Sequence, residues 1–405
     1  MIIAELTEGN VRYFGLENAS TPAISNQLLT KETNAKLLFN IVSKEGSISR
    51  AQLAKVAGLS PSTVSVLTEE LIRNHILLEA GAGQSAPTGR KPIMLEVDPN
   101  GLQIPCFAFR PSGLLYVLYD LKFNIIERRL LPYGPELSRQ KQSYITPSNE
   151  VILNLLVTAL EESEHLDMQK VRIITISFYG TFLRDTSMFA SSVLSWHLSS
   201  TFIDSLRAKF NNVPLLVGNN SNLMAYAEKA LCHTDRENLL YIHLDEGVGS
   251  GIILDNHLVV GECGISGEIG YMLIDGKRLE SIASKKAILD TMKERTGITT
   301  LEEVGHALSL GDNFVTDAMR DIAAQVATAI NNTLCMFGSM EVYLGGEVMA
   351  LGPVFLDLLR ASMQEFGFRR VLPHSPIAQS RLPDHGDCLG AARAYVGEKF
   401  TVILP

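Results

Sequence analysis

Residues 239–280 read LLYIHLDEGVGSGIILDNHLVVGECGISGEIGYMLIDGKRLE. An apolar strand over Leu239–Leu244 is expected to run into a glycine turn, Gly247-Val248-Gly249-Ser250-Gly251, with a second strand over Ile252–Leu254. Asp255-Asn256 reads as a turn pair, Leu258–Val260 as a third short strand, and Gly261 to Gly270 as a second glycine-rich turn. Glycine turns between strands let backbone N–H groups approach an anion or a sugar that side chains would fence off. A tight turn with no ligand is the plainer alternative. Glu268 and Glu280 stand where apolar segments break, the usual position of pocket residues.

A chain of 405 residues is too long for one ordinary core, so two or three domains are expected. The N-terminal stretch MIIAELTEGNVRYFG is too acidic for a secretory signal, and no apolar run is long enough to span a membrane, so a cytoplasmic protein with no membrane partner is expected. Five cysteines (Cys106, Cys232, Cys263, Cys335, Cys388) sit singly, without a C-x-x-C pair, which points to reduced thiols. The net charge of −9 argues against nucleic acid, but its distribution does not. From Lys31 to Leu95 eight Lys/Arg face five Glu, a balance of +3 that leaves −12 for the remainder. A basic head on an acidic body fits a DNA-binding module fused to a regulatory one.

Residues 1–30 read as an N-terminal arm without sustained periodicity, polar from Asn18 to Asn26 and carrying Pro22. A helix fits Asn34 to Lys44, with Leu37, Leu38, Ile41 and Val42 on one face. Ser49, with Gln52 at the capping-box position, opens a helix over Arg50–Ala57 that Gly58 ends. Ser60 caps the next helix and Pro61 takes its first position. Helix, glycine turn, helix is a helix-turn-helix, although any three-helix packing module shares the pattern. Strand-like Ile76–Ala80 and Ile93–Val97 enclose a wing-type loop, Gly81–Gly89. Residues 31–98 are therefore expected to form a winged helix-turn-helix domain with its linker. The candidate DNA-binding residues are Ser49, Ser60, Ser62, Thr63 and Ser65, with Arg90 and Lys91 on the stiff turn before Pro92.

Beyond Gly101 the pattern becomes α/β. Strands are expected over Leu114–Leu121, Asn124–Leu131, Val171–Phe178 and Val213–Val217. Helices are expected over Glu150–Glu162, Ile203–Phe210, Ser221–Cys232, Ser281–Arg295, Asn313–Met336 and Pro353–Phe366. Four motifs in order carry a resemblance. They are Val217-Gly218-Asn219-Asn220-Ser221-Asn222; Gly267-Glu268-Ile269-Gly270-Tyr271 followed by Leu279-Glu280-Ser281; Leu344-Gly345-Gly346-Glu347; and Leu389-Gly390-Ala391-Ala392. Together they resemble the ROK family of repressors and sugar kinases over residues 31–398. Thr88-Gly89-Arg90-Lys91-Pro92 is similar to the linker of its repressor branch. The resemblance implies two actin-like lobes of the ribonuclease H-like, sugar kinase superfamily around a cleft. On that basis lobe 1 is expected over 101–216, with a C-terminal helix at 388–400 returning to it, and lobe 2 over 217–387. Phe178-Tyr179-Gly180-Thr181 resembles the family's turn beside the sugar.

A kinase of this family needs three parts, and each departs here. The first hairpin should carry an Asp and a glycine-rich turn for ATP phosphates. Phe109-Arg110-Pro111-Ser112-Gly113 has a proline that removes an N–H and no Asp for magnesium; Arg110 reads as a plain hairpin turn that could pair with an anion. The catalytic base should be an Asp, and Asn220 stands in its place; an amide cannot take a hydroxyl proton at neutral pH. The second phosphate turn should begin Gly-Thr-Gly, and here it is Asp245-Glu246-Gly247, whose carboxylates repel phosphate. No kinase activity is expected.

Sugar-binding residues fare better. Asn219, Asn220, Glu268 and Glu280 match the family's hydroxyl-binding positions, and Tyr271 replaces its histidine beside them. The family's structural zinc, held by that histidine and a cysteine insert, is expected to be absent, because Tyr271 and Asp275-Gly276-Lys277-Arg278 stand in its place. No cofactor is expected. The resemblance implies a sugar-responsive regulator, a repressor that binds operator DNA as a homodimer or a dimer of dimers. The alternatives are a residual sugar kinase, and a regulator with a vestigial pocket that answers to a protein partner. The apolar helix Asn313–Met336 could serve as a dimer face or as lobe core.

Overall fold

In the computed structural model, residues 11–13, 26–82, 91–133, 148–183, 188–190, 200–210, 212–232, 236–261, 265–367 and 374–399 are described. The N-terminal segment departs from the expected arm in two ways. Val11–Tyr13 forms a strand, β1, in parallel register with Leu215–Val217. The first helix, α1, spans Asn26–Glu45 and so begins inside the stretch assigned to the arm. Its residues Thr30–Asn34 are exposed or half-buried. The buried face is Ala35, Leu38, Phe39 and Val42, whereas Leu37 points outward at 39% exposure.

The head continues with β2 (Ile48–Ser49), α2 (Arg50–Ala57), α3 (Pro61–Arg73), β3 (Leu77–Ala82) and β4 (Ile93–Val97). The strands pair in the order β2-β4-β3, the winged arrangement. Gly58 ends α2 at φ +66°, a conformation that suits glycine. Val64, Leu67 and Leu71 of α3 bury against α1 and α2. The wing residues 83–90, Arg90 among them, lie outside the described residues.

Lobe 1 contains β5 (Gln103–Arg110), β6 (Gly113–Asp120), β7 (Ile125–Leu131), α4 (Asn149–Glu161), β8 (Ile174–Phe178), β9 (Thr181–Leu183), β10 (Met188–Ala190), α5 (Ser200–Lys209) and β11 (Leu215–Asn219). Its main sheet runs β1-β11-β8-β5-β6-β7: an antiparallel meander, β5 to β7, followed by parallel strands. β6 is buried along its whole length, as a strand covered on both faces should be. Helix α6 (Asn220–Cys232) follows β11 directly, so residues 217–219 belong to the sheet of lobe 1 rather than to lobe 2.

Lobe 2 repeats the plan with β12 (Leu239–Leu244), β13 (Val248–Leu254), β14 (His257–Leu258), β15 (Leu273–Ile274), β16 (Lys277–Arg278), α7 (Glu280–Ala283), α8 (Lys285–Thr296), α9 (Leu301–Ser309), α10 (Asn313–Phe337), β17 (Glu341–Gly345), α11 (Pro353–Phe366) and β18 (Ile377–Gln379). Its sheet order is β14-β13-β12-β17-β18, again a meander joined to parallel strands. Helix α12 (Gly386–Ala394) closes the chain's regular structure and packs on β5 and β8 of lobe 1. It opens two residues before the expected start at 388, inside the span assigned to lobe 2. The fold is thus a winged head followed by two similar α/β lobes.

Three expectations are corrected here. The expected glycine turn Gly247–Gly251 is mostly strand, since β13 begins at Val248 and pairs Gly249 with His243 and Gly251 with Tyr241. Its glycines make room for α6. A Cβ on Gly251 would lie 2.5 Å from Ala225 Cβ and 2.7 Å from Ser221 O, and one on Gly249 would lie 2.4 Å from Ser221 Oγ. The expected helix 281–295 is broken at Ser284, whose side chain caps α8. The third strand is only His257–Leu258. Helix α10 is lobe core, with Val315, Met319, Ile322, Val326, Ile330 and Leu334 buried on one side.

Two helices join the lobes. α6 leans on β13 and crosses α12, where Gly390 permits close approach: a Cβ there would fall 2.0 Å from Leu223 O. The head is joined to lobe 1 by a continuous apolar core that runs from Leu38 and Leu71 through Leu102, Ile104 and Val117 to Leu389. No helix among the described residues is long and apolar enough to cross a membrane.

Candidate functional site

The exposed end of the head is the N-terminus of α3. Ser60 Oγ accepts from Thr63 N at 3.1 Å and lies 2.8 Å from both Ser62 Oγ and Thr63 Oγ1. Ser60 and Ser62 are exposed, Thr63 and Ser65 half-buried, and Val66 is 61% exposed. Three hydroxyls at a helix N-terminus form a surface suited to phosphate and base edges. Ser49 is different. It is buried, and its hydroxyl accepts from Gln52 N while Gln52 Oε1 accepts from Ser49 N, a closed capping box with no face toward solvent. Its role is to hold α2. Lys91 is exposed. Arg50, which sequence reasoning did not single out, donates to Thr68 Oγ1 at 3.1 Å and pairs with Glu79 at 2.9 Å, fixing α2 and α3 to the wing strand.

The second region is a cleft of about 1080 Å³ between the lobes. Arg110, Pro111, Ser112, Arg128 and Tyr179 line it from lobe 1; His243, Asp245, Glu246, Lys285 and Glu347 line it from lobe 2. Arg110 is not a plain hairpin turn. Its guanidinium makes a two-pronged contact with Asp387 of α12, Nη2 to Oδ1 at 2.6 Å and Nη1 to Oδ2 at 2.9 Å. Nη2 also donates to Asp384 O at 3.1 Å, and the group lies 5.5 Å from the Tyr179 ring centre. Asp387 is fully buried and accepts further bonds from Ser177 Oγ at 2.5 Å and Cys388 N at 2.9 Å. Burial alone would push its carboxyl up; Arg110, Ser177 and the Cys388 N–H outweigh it and hold the group below the usual carboxylate range.

On the facing wall, His243 Nε2 lies 3.3 Å from Asp245 Oδ2. His243 is only 5% exposed; its Nε2 faces Asp245, and its Nδ1 has no hydrogen-bond partner among the described residues. Burial would raise the Asp245 carboxyl, but the His243 ring, the Glu246 N–H and Arg110 together hold it low. Lys285 Nζ bridges Glu347 at 2.5 Å and Glu246 at 3.3 Å. Burial would lower its pKa, and the two carboxylates raise it instead.

The residues expected to bind sugar gather beside this cleft around Val248–Ser250. Glu280 Oε2 accepts from Val248 N at 3.2 Å, and Ser250 Oγ donates to Gly267 O, next to Glu268, at 2.7 Å. Asn220 opens α6, whose Ser221 abuts Gly249. Two of the expected residues are spent otherwise. Asn219 donates to Gly180 O at 2.7 Å and accepts from Asn222 N at 3.1 Å, so its amide fastens the start of α6 to the turn after β8. Tyr271 is 53% exposed and stacks under Arg278, whose Cζ is 4.9 Å from the ring centre. It faces outward.

The zinc that the family resemblance implies does not fit here. Asp275 (φ +50°) and Gly276 (φ +77°) form the tight turn of the β15–β16 hairpin where the cysteine insert would stand. Among the described residues no group of three or more His, Cys, Asp or Glu could hold a metal ion. Cys263 lies outside them.

Residues 134–396 match the ROK family, and residues 30–77 match a winged helix-turn-helix DNA-binding domain. The xylose repressor of Bacillus subtilis is 25% identical over 390 residues, covering 92% of this chain and 97% of that protein. A crystal structure of a ROK family transcriptional regulator, a homolog of the E. coli MLC protein, superposes with a TM-score of 0.75 at 21% identity over 92% of this chain and 99% of that one. A ROK family glucokinase from Streptomyces griseus, solved with glucose and AMPPNP, superposes with a TM-score of 0.58 at 20% identity, over 72% of this chain and 98% of the kinase.

Proposed function

The chain belongs to the ROK family and carries a winged helix-turn-helix head, and from that premise we propose that it is a sugar-responsive transcriptional regulator, a repressor that a sugar bound between its lobes releases from operator DNA. This reading is supported by the pairing of a solvent-facing, hydroxyl-rich helix N-terminus with a cleft between the lobes whose Arg110 is already paired with Asp387. Arg110 is committed to Asp387 where a phosphate cradle would lie, and Asp245 and Glu246 occupy the second turn. Asn220 stands where a base would be needed. The lobes bind and do not transfer phosphate. Sugar-dependent ATP turnover by the purified protein would overturn this part of the reading.

The route from sugar to DNA is mechanical. The head shares its core with lobe 1, and its linker is seated tightly: a Cβ on Gly101 would fall 1.6 Å from His75 O. Head and lobe 1 therefore move together. A sugar held by Asn220, Glu268 and Glu280 closes lobe 2 toward lobe 1 through α6 and α12, and in a homodimer this alters the separation of two heads. The sugar shifts the equilibrium only by its differential affinity for the two arrangements.

The test is operator binding by the full chain, measured by fluorescence anisotropy across a panel of sugars, with thermal stability followed in parallel. A sugar at 100 times its dissociation constant adds about 2.7 kcal/mol. One sugar class that both stabilises the protein and weakens operator binding, with both effects lost in Glu280→Ala, is the expected result. Operator binding that no sugar alters would remove the sensor.

A further inference from the structure

The outward face of α3 is a single stripe. Val64, Leu67, Thr68 and Leu71 are buried, whereas Ser62, Val66, Glu69 and Arg73 are exposed, spaced four, three and four residues apart. At the helical period these four side chains stand one above another on the side away from the core. Ser65, half-buried, borders the stripe beside Val66. The helix lies wholly inside the winged helix-turn-helix of residues 30–77. In such a domain the N-terminal part of the second helix meets base edges in the major groove.

The chemistry of this stripe is narrow. From Pro61 to Ile72 the sequence holds no Arg, Lys, Asn or Gln, the side chains that read guanine and adenine by paired hydrogen bonds. Arg73 is the first of them, and it stands about 10 Å farther along the axis than Val66, at the end away from the base edges. The hydroxyls of the first turn bond one another, Ser60 Oγ lying 2.8 Å from both Ser62 Oγ and Thr63 Oγ1, and they suit phosphate. Val66 holds the middle of the stripe. It is 61% exposed, the highest value for a large apolar side chain among the described residues of the head. A β-branched residue lowers helix propensity, so folding alone favours alanine at such a solvent-facing position. Its methyl groups match one base feature: the C5-methyl of thymine, the apolar group that the major groove presents and that no other unmodified base carries.

We propose that Val66 is a specificity residue for operator DNA, covering the C5-methyl group of a thymine in the major groove. The inference rests on the DNA-binding part of the reading above and is independent of the sugar. The bases under α3 are then read through a thymine methyl rather than through guanine.

The experiment starts from a duplex that the full chain selects out of a randomised pool. Each thymine of that duplex is replaced singly by deoxyuridine, which removes the methyl group and leaves the hydrogen-bonding edge intact. Binding is followed by fluorescence anisotropy for the wild type and for Val66→Ala. At one thymine position or its symmetry mate the replacement is expected to weaken wild-type binding about fourfold, the effect of uncovering one methyl group. Val66→Ala should bind the unmodified duplex about fourfold more weakly and no longer distinguish thymine from deoxyuridine there. Its melting temperature should equal or exceed that of the wild type. A lower one would place Val66 in the fold instead of at the DNA and overturn the inference. A deoxyuridine scan that leaves wild-type binding unchanged overturns it as well, with DNA binding left standing. So does a methyl effect that persists undiminished in Val66→Ala, which would assign the thymine to another side chain. Failure to select any preferred duplex overturns the inference and the DNA-binding reading together.

Discussion

In the head, the helix caps join residues three apart: Ser60 caps Thr63 at the start of the candidate DNA-facing helix, and Ser49 caps Gln52 at the start of the helix before it. In the cleft, the pair that decides what can enter joins Arg110 to Asp387, residues 277 apart, across a hairpin and the last helix. These caps are local bonds, each worth about 1 kcal/mol, set on a head that its apolar core and the contacts of Arg50 to Thr68 and Glu79 hold together. The cleft depends on a buried charge pair that tolerates no half-measures.

The strongest way to break that comparison is Arg110→Ala. It leaves Asp387 fully buried with only Ser177 and Cys388 N–H for partners, and removal of one member of a buried pair typically costs about 3–5 kcal/mol. Denaturant unfolding should show that loss, and Arg110→Lys should recover only part of it, since an ammonium cannot supply the two-pronged contact. The acid limb carries the same signature. The Asp387 carboxyl is depressed in the folded chain, so its contribution is fully present above the unfolded value near 4 and is lost as pH falls through the lower folded value. In Arg110→Ala this acid-sensitive part should shrink. A wild-type-like unfolding curve would mean that the pair is dispensable.

Two glycines sharpen the contrast at the next level. Gly251 has φ in the ordinary range but no room: its Cβ would meet Ala225 and the Ser221 carbonyl. Gly58 has a left-handed φ of +66° and nothing within 4 Å. Gly251→Ala is expected to cost about 1–3 kcal/mol by forcing α6 off β13. It should weaken sugar binding as well, because Asn220 opens that helix. Gly58→Ala should cost about 1–2 kcal/mol of backbone strain alone and leave the sugar isotherm unchanged. Equal effects on sugar affinity would refute the distinction.

This contrast explains what could be read from the amino acids. Ser49 with Gln52, Ser60 with Pro61, and Gly58 after Ala57 announce the head because caps and turns are local. The two lobes were legible through four spaced motifs and through apolar periodicity such as Asn313–Phe337. Gly249 and Gly251 misled, because a glycine demanded by a crossing helix looks the same in sequence as one demanded by a turn. Arg110 was undervalued because its partner lies in another element, and only burial distinguishes Asp387 from any acid beside a glycine motif. Strand β1 was missed because three residues are too few to establish a period; the edge of the sheet recruits them.

Below these stands the pair of caps. Ser60→Ala and Ser49→Ala should each cost about 0.5–2 kcal/mol, since each removes an acceptor from a helix N-terminus. Their effects on operator binding should differ. Ser60 sits in the exposed hydroxyl cluster, so its loss should weaken the operator complex beyond what stability explains. Ser49 is buried and should change operator affinity only in proportion to the folded fraction. Anisotropy well below the melting temperature separates the two, and a Ser49 variant with a direct binding defect would show that the sheltered cap reaches DNA.

The smallest effect is expected where the family would place its metal. Arg278 over Tyr271 is a solvent-facing contact worth about 0.5–1 kcal/mol, and the hairpin beneath it is pinned by Ile274 and Leu279, both buried. Arg278→Ala should therefore move the melting temperature by only a few degrees, and a strong chelator should not move it at all. The sugar isotherm is the more telling readout. Glu280 follows this hairpin directly and hangs from Val248 N, an anchor that does not involve Arg278. If Arg278→Ala leaves sugar affinity within twofold, the buried apolar pair has taken over the positioning of Glu280. A large loss would mean that the exposed cation–π contact holds the loop in the metal's stead, and the cleft would then depend, like the head, on a bond made close in sequence.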